Sequence, residues 1–364
     1  MLTVLKNVEV FAPARLGSKD LFIAGERIVR IADTDTVTCS LPIRTIDCSA
    51  LSCFPGLIDQ HVHILGGGGE QGPASRLPEM SAKEIADGGV TTLVGLLGAD
   101  AVTRSLDALF AKAKALEAEG LTTYLYSGSY AIPPVCFTGS VLRDLTVIDK
   151  VIGVGEIAIS DHRATPYPFD VLEKLAADTH LGGLLGGKAG VLHLHVGDGK
   201  GGLAPVKQLI ENTDLPKAMF VPTHVNRNTS LFEEAIVYCL NGGRIDLTAG
   251  ETAGIAVPDA VCTLSAQGVN LANVTVSSDA GGSIPSGGST CTKTLFDDII
   301  GCVRAGIPIE SAFALVTENV ARLLKLYPQK GTLAEGSDAD ILVTDGEFKP
   351  MALFTKGKSI YENL

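Results

Sequence analysis

The hydrophobic pattern changes character twice along the 364 residues. In the long middle part, short apolar runs rich in Val, Ile, Leu and Thr recur: "GLIDQHVHIL", "VTTLVGLLG", "TTYLYSGSY", "VIGVGEIAIS", "GVLHLHVG", "AMFVPTHVN", "RIDLTAG" and "NVTVSSDAGG". Helix-like stretches lie between them, such as "RSLDALFAKAKALEAEG" and "SLFEEAIVYCLNGG", the second closed by glycines that terminate helices. Eight strands alternating with helices predict an α/β fold, a (β/α)8 TIM barrel, with its active site at the C-terminal ends of the strands.

The two ends read differently. Residues 1–53 ("VLKNVEVFAP", "DLFIAGERIVRIAD") and 331–364 ("GTLAEGSDADILVTDGEFKPMALFTKGKSIYEN") carry short alternating strands and turns. Isolated hairpins are only marginally stable, so both ends are expected to pair into one small, sandwich-like β domain beside a barrel spanning 54–330.

Apolar residues make up 46 % of the chain and charged residues 19 %, a composition that argues for a compact enzyme and against disorder. The net charge of -12 argues against nucleic acid as a partner, so an anionic ligand would need a local arginine cluster. The eight cysteines, at 39, 48, 53, 136, 239, 262, 291 and 302, form no C-x-x-C pair and are read as reduced, mostly buried thiols. No segment has the length to span a bilayer, and "MLTVLKNVEVFAP" lacks the form of a secretory signal. The expectation is a soluble cytoplasmic protein without a membrane partner.

Candidate chemistry collects at the strand ends. In "DQHVHI", His61 and His63 stand at i and i+2, so on a strand both leave the same face and can share a metal. Glu156 falls on the fourth strand, His193 and His195 on the fifth, His224 on the sixth and Asp279 on the eighth. Five of the seven histidines lie in these stretches. Imidazoles with two carboxylates suit two Zn2+-like ions, because one carboxylate can bridge.

"FPGLIDQHVH" with the C-terminal "GTLAEGSDADILV" resembles the amidohydrolase superfamily. Within it, "GGGGEQGP", "VGLLG", "TGS", "ISDHR", "GGLLGGKAG", "GD", "PTHVNRN" and "SSDAGGS" are together similar to the β-aspartyl (isoaspartyl) dipeptidases, and they cover most of the barrel. The resemblance implies that His61 and His63 bind one metal, with Asp279 completing it, and that His195 and His224 bind the other. It implies that Glu70 receives the substrate α-ammonium, that Tyr130 hydrogen-bonds the scissile carbonyl, and that Arg163, Arg227 and Ser283 hold carboxylates. A homo-oligomer is also implied. His193, one layer deeper than His195, is expected to be a packed or supporting residue, His162 to be structural, and His180 to lie on a helix.

One position departs from the family. It usually reads I-G-V-K-x-A-I-S-D-H-R, with a carbamylated lysine bridging the metals, whereas this chain reads "IGVGEIAISDHR". Glu156 takes the place of the lysine, with the same charge and a similar pair of oxygens on a shorter arm. The extra residue, Gly155, permits a bulge that would push the strand inward.

The expected reaction is hydrolysis of the isopeptide amide of β-aspartyl dipeptides by a metal-bridging hydroxide, with Asp279 as general base and acid. The alternatives are a cyclic-amide hydrolase or N-acyl amino-acid deacylase on the same metal site, and a non-catalytic barrel module.

Overall fold

The computed structural model describes residues 2–37, 42–164, 166–283 and 290–364. Five strands precede the barrel: β1 (Leu2–Phe11), β2 (Arg15–Ala24), β3 (Arg27–Asp33), β4 (Ile43–Asp47) and β5 (Ser52–Pro55). The barrel strands are β6 (Leu57–Val62), β7 (Val90–Gly95), β8 (Thr122–Ser127), β9 (Val151–Ile159), β10 (Val191–Val196), β11 (Phe220–Thr223), β12 (Ile245–Thr248) and β13 (Val274–Ser277). Three more follow: β14 (Ile341–Thr344), β15 (Pro350–Thr355) and β16 (Lys358–Glu362).

Strands β6 to β13 pair in chain order, and the pairs are parallel, which is the (β/α)8 arrangement expected. Helices cover the outside of this sheet, so most of its strands are buried on both faces and read as apolar runs. The ring closes where Val62 bridges Ala280 and His63 N–H donates to the Ala280 carbonyl at 2.8 Å, next to the candidate site. Side-chain caps fix several helix starts. Ser81 and Glu84 form a reciprocal capping box, and Ser105, Ser140 and Asn228 each cap the helix that follows.

The two chain ends do share one sheet, in the order β16-β15-β14-β5-β1-β2-β3, with β4 also beside β1. Its own core includes Leu5, Val10, Leu21, Ile341, Val343 and Phe354. Stacked rings join it to the barrel: Phe54 lies 4.9 Å from Phe11 and 3.9 Å from Phe313, centroid to centroid. Buried Lys330 adds a polar joint, 2.9 Å from Asp338, 2.5 Å from Asp340 and 3.2 Å from the Thr122 hydroxyl on β8.

Among the described residues the seven cysteines are free thiols; four are buried and Cys291 is exposed, while Cys39 lies outside the described residues. Among them, too, no helix is long and apolar enough to cross a membrane.

Candidate metal centre

The barrel gathers His61, His63, Glu156, His195, His224 and Asp279 into one buried cluster. On one side, His61 Nε2 lies 3.4 Å from His63 Nε2, 3.5 Å from Glu156 Oε2 and 3.4 Å from Asp279 Oδ1. His63 Nε2 is 3.4 Å from Glu156 Oε1 and 3.0 Å from Asp279 Oδ1. On the other side, Glu156 Oε2 is 3.0 Å from His195 Nδ1 and 3.4 Å from His224 Nε2. Donor atoms of His61, His63 and Glu156 fall within 4.8 Å of one another, as do those of Glu156, His195 and His224. Two donor groups that share one carboxylate, with imidazole nitrogens and carboxylate oxygens as donors, could hold divalent metal.

Glu156 reaches this position through a bulge in β9. Leu192 pairs with Val154 and Leu194 with Ile157, so Gly155 and Glu156 together face the single residue His193. Gly155 must be glycine there, because a Cβ would lie 2.8 Å from His193 Cβ and 3.0 Å from its carbonyl oxygen. Across the site, a Cβ on Gly98 would come within 2.8 Å of His63 Cε1 and 3.2 Å of Glu156 Oε1.

Outer partners turn three of the rings inward. His61 Nδ1 is 2.9 Å from His193 Nε2, His195 Nε2 is 2.9 Å from Asp161 Oδ2, and His224 Nδ1 is 2.7 Å from the Thr248 hydroxyl. Such contacts select the tautomer that leaves the other nitrogen free for a cation. His224 and Asp279 also sit in left-handed backbone, at φ 65° and 52°, a conformation that costs about 1–3 kcal/mol in a non-glycine residue and persists where the surroundings enforce it.

The charges are strongly coupled. Burial pushes the Glu156 carboxyl up, but His61, His195 and His224 outweigh it and hold it well below the usual range. Asp279 is likewise buried and is held low by His61 and His63. For His61, burial opposes protonation while Glu156 and Asp279 favour it, and the balance lifts the ring to about 10. A cation at Nε2 would take the place of that proton. Burial, reinforced by Glu156, pushes the Tyr130 phenol well up, so it stays a neutral donor.

The expected substrate residues surround the mouth of this cluster. Arg163 Nη1 is 3.6 Å from Glu70, its guanidinium carbon lies 5.2 Å from the Tyr130 ring centre, and the Ser283 hydroxyl is 3.4 Å from Glu70 Oε2. Tyr130 OH is 2.9 Å from His195 Nδ1. Arg227 Nη2 donates to Asp279 Oδ2 at 2.6 Å, and its Nε lies 3.7 Å from Glu251.

Four contributors had no place in the sequence reading. Asp161 and Thr248 orient ligand candidates, and Glu251 faces Arg227. Buried Arg104 donates to the carbonyls of Leu65, Gly67, Gly68 and Leu77, shaping the loop that carries Glu70. Asp161 stood in view inside "SDHR", two residues before Arg163, but nothing in spacing alone separates it from a loop acid. His193 is fully buried beneath His61, and His180 lies on the helix Phe169–Leu185. His162, expected to be structural, projects outward with its side chain 86 % exposed, because the turn after β9 directs Asp161 inward and the next residue out.

Comparison with known proteins fits this geometry. The amidohydrolase family profile matches residues 53–362. The structure of β-aspartyl dipeptidase from Fervidobacterium islandicum AW-1 in complex with β-Asp-Leu is 40 % identical, covers 100 % of this chain and 97 % of that one, and superposes with a TM-score of 0.94. The L-hydantoinase of Paenarthrobacter aurescens is 24 % identical, over 94 % of this chain and 85 % of its own. Dihydropyrimidinase from Brevibacillus agri, 18 % identical with a TM-score of 0.67, covers 100 % of this chain and 95 % of its own and shares the fold.

Proposed function

The chain belongs to the amidohydrolase family, on the branch of the β-aspartyl dipeptidases, and from that premise we propose that it hydrolyses the isopeptide amide of β-aspartyl dipeptides with two Zn2+ ions. It is a metal-dependent hydrolase acting on dipeptides. The observation that supports the linkage is the mouth of the site, where an acid, Glu70, stands beside Arg163 and Ser283 above the histidine cluster. A substrate whose aspartyl ammonium and carboxylate are both free meets both signs there.

His61, His63 and Asp279 would hold one ion, His195 and His224 the other, and Glu156 both. Bound there, the ions supply a water that ionises near neutral pH and a Lewis acid for the carbonyl. Asp279 takes the proton of the attacking water and returns it to the departing amine. Its contact with Arg227 keeps the carboxylate aimed. Tyr130, protonated, donates to the carbonyl oxygen as negative charge develops on it. Glu70 pairs with the α-ammonium, while Arg163, Arg227 and Ser283 take carboxylates through charge-assisted hydrogen bonds.

The free thiols suit a reducing compartment, and we place the protein in the cytoplasm. Exposed Val147, Leu181, Leu184 and Leu185, on two helices that pack together, support a homo-oligomer. The small β domain is taken as 1–53 with 331–364, its strand β5 running two residues further to Pro55, and the barrel as the remainder of 54–330.

The test is a pair of substrates. The purified protein should cleave β-Asp-Leu and leave α-Asp-Leu nearly untouched; comparable rates on the two would overturn the assignment, and hydrolysis of a hydantoin instead would move it to the cyclic amides.

A further inference from the structure

His193 is fully buried beneath the cluster and holds no place in the proposed chemistry. Its ring stacks on Tyr126, with centroids 5.2 Å apart, and its Nε2 lies 2.9 Å from His61 Nδ1. Its other nitrogen, Nδ1, has no hydrogen-bond partner among the described residues. A buried imidazole with one strong polar contact is a costly choice for a core position unless that contact matters.

The backbone gives His193 a second task. It is the single residue opposite the β9 bulge, and its Cβ and carbonyl leave room only for glycine at 155. One side chain therefore touches the element that displaces Glu156 inward and also the ring of His61 across the barrel.

A cation below His61 is the competing account, because His61, His193 and Asp246 bring donor atoms within 4.8 Å of one another. Asp246 speaks against it. Its carboxylate already accepts from Gln60, Thr223, Thr275 and Ser277, which leaves little of either oxygen for an ion. His61 would also have to surrender its remaining ring proton.

We infer that His193 is a positioning residue of the metal centre: its Nε2 accepts the Nδ1 proton of His61 and so fixes the tautomer and ring angle that present His61 Nε2 to the cation, while its backbone seats the Gly155 bulge that carries Glu156. The inference rests on the reading that His61 binds one of two cations. It makes Gly155, Glu156 and His193 one device, in which the shorter bridging arm is accommodated by a bulge and the bulge is braced by an imidazole that also serves the neighbouring ligand.

Two variants test it, read by metal binding rather than turnover. His193→Phe keeps an aromatic ring against Tyr126 and removes the acceptor. His193→Gln places an amide oxygen near the position of Nε2. Each is titrated with Co2+ against the wild type, following stoichiometry and the visible absorption of the bound ion, with circular dichroism of the metal-free chains as the check on folding. The expected result is that the Phe variant binds one of its two Co2+ ions about 10–100-fold more weakly with an altered spectrum, the usual cost of losing an outer partner of a ligand. The Gln variant should recover most of the affinity. Two Co2+ ions bound by the Phe variant with wild-type affinity and spectrum would overturn the inference while leaving the two-metal reading intact. Should the Phe variant not fold, His193→Leu is judged by the same two readouts. A wild type that binds no Co2+ would overturn the two-metal reading itself and the inference with it.

Discussion

Asp161 Oδ2 lies 2.9 Å from His195 Nε2, on the side of the ring opposite Glu156. Arg163 grips the same carboxylate, Nε to Oδ1 at 2.9 Å and Nη2 to Oδ2 at 2.8 Å. The arginine proposed to face the substrate is thereby tied to the carboxylate that contacts the proposed ligand His195. Asp161→Asn removes the charge that holds both. Cation binding at the His195 and His224 position should weaken about 10–100-fold, with a rise in KM from the loosened Arg163. Metal titration and steady-state kinetics check this; unchanged affinity and KM would leave Asp161 without either task.

Glu156 faces both donor groups with its two oxygens. Glu156→Ala should lower occupancy of both positions and abolish most activity, and Glu156→Gln should do nearly the same, since a neutral amide compensates two dications poorly. A glutamate also needs no carbon dioxide to form. Reactivation of metal-free enzyme should therefore be indifferent to bicarbonate. Full occupancy in the Ala variant, or dependence on bicarbonate, would send the search for the bridging group elsewhere.

Arg104 acts at a distance from the reacting atoms. Its guanidinium ties the carbonyls of the glycine loop to Asp100 and thus sets the position of Glu70. Arg104→Lys cannot reproduce that spread of donors. KM for β-Asp-Leu should rise by about tenfold, the equivalent of one lost hydrogen bond to a charged group, with metal content unchanged. A KM equal to wild type would show that the loop holds its shape without the arginine.

Lys330 concerns stability rather than turnover. Burial lowers its pKa, but Asp340 and Asp338 outweigh burial and raise it above the ordinary value of 10.5. A group raised on folding contributes fully below its unfolded value, and the contribution is lost as pH rises through the folded one. Lys330→Met leaves the buried Asp340 without its cation, while Asp338 keeps Arg27 at 2.9 Å, and should cost about 3–5 kcal/mol at neutral pH. The gap between wild type and variant should narrow in strong alkali. Thermal unfolding at pH 7 and above pH 11 reads both effects.

The barrel was legible because its strands are buried on both faces, which compresses each into a short apolar run, and the ligand candidates stood out as the polar residues that end those runs. The bulge was legible from one inserted glycine. What the bulge rests on was not, since the pairing of Gly155 and Glu156 with His193 is a matter of register between strands about forty residues apart. The partners of His195 and His224 escaped for a related reason: Asp161 and Thr248 acquire meaning only from the direction in which a ring turns. In the small sheet, the alternation of the end segments indicated strands, but it carried no sign that β4 and β5 would both lie parallel to β1.

The order of strands in that small sheet bears on how the molecule is made. β5 leaves translation before any of the barrel, yet its neighbour β14 is synthesised only after the last barrel strand. Throughout elongation the backbone of Ser52–Pro55 presents an unmatched row of amide and carbonyl groups, an opportunity for pairing with another nascent chain. The late arrival of Ile341–Thr344 closes that row, so a strand made only after the whole barrel is the one that removes this invitation to aggregate.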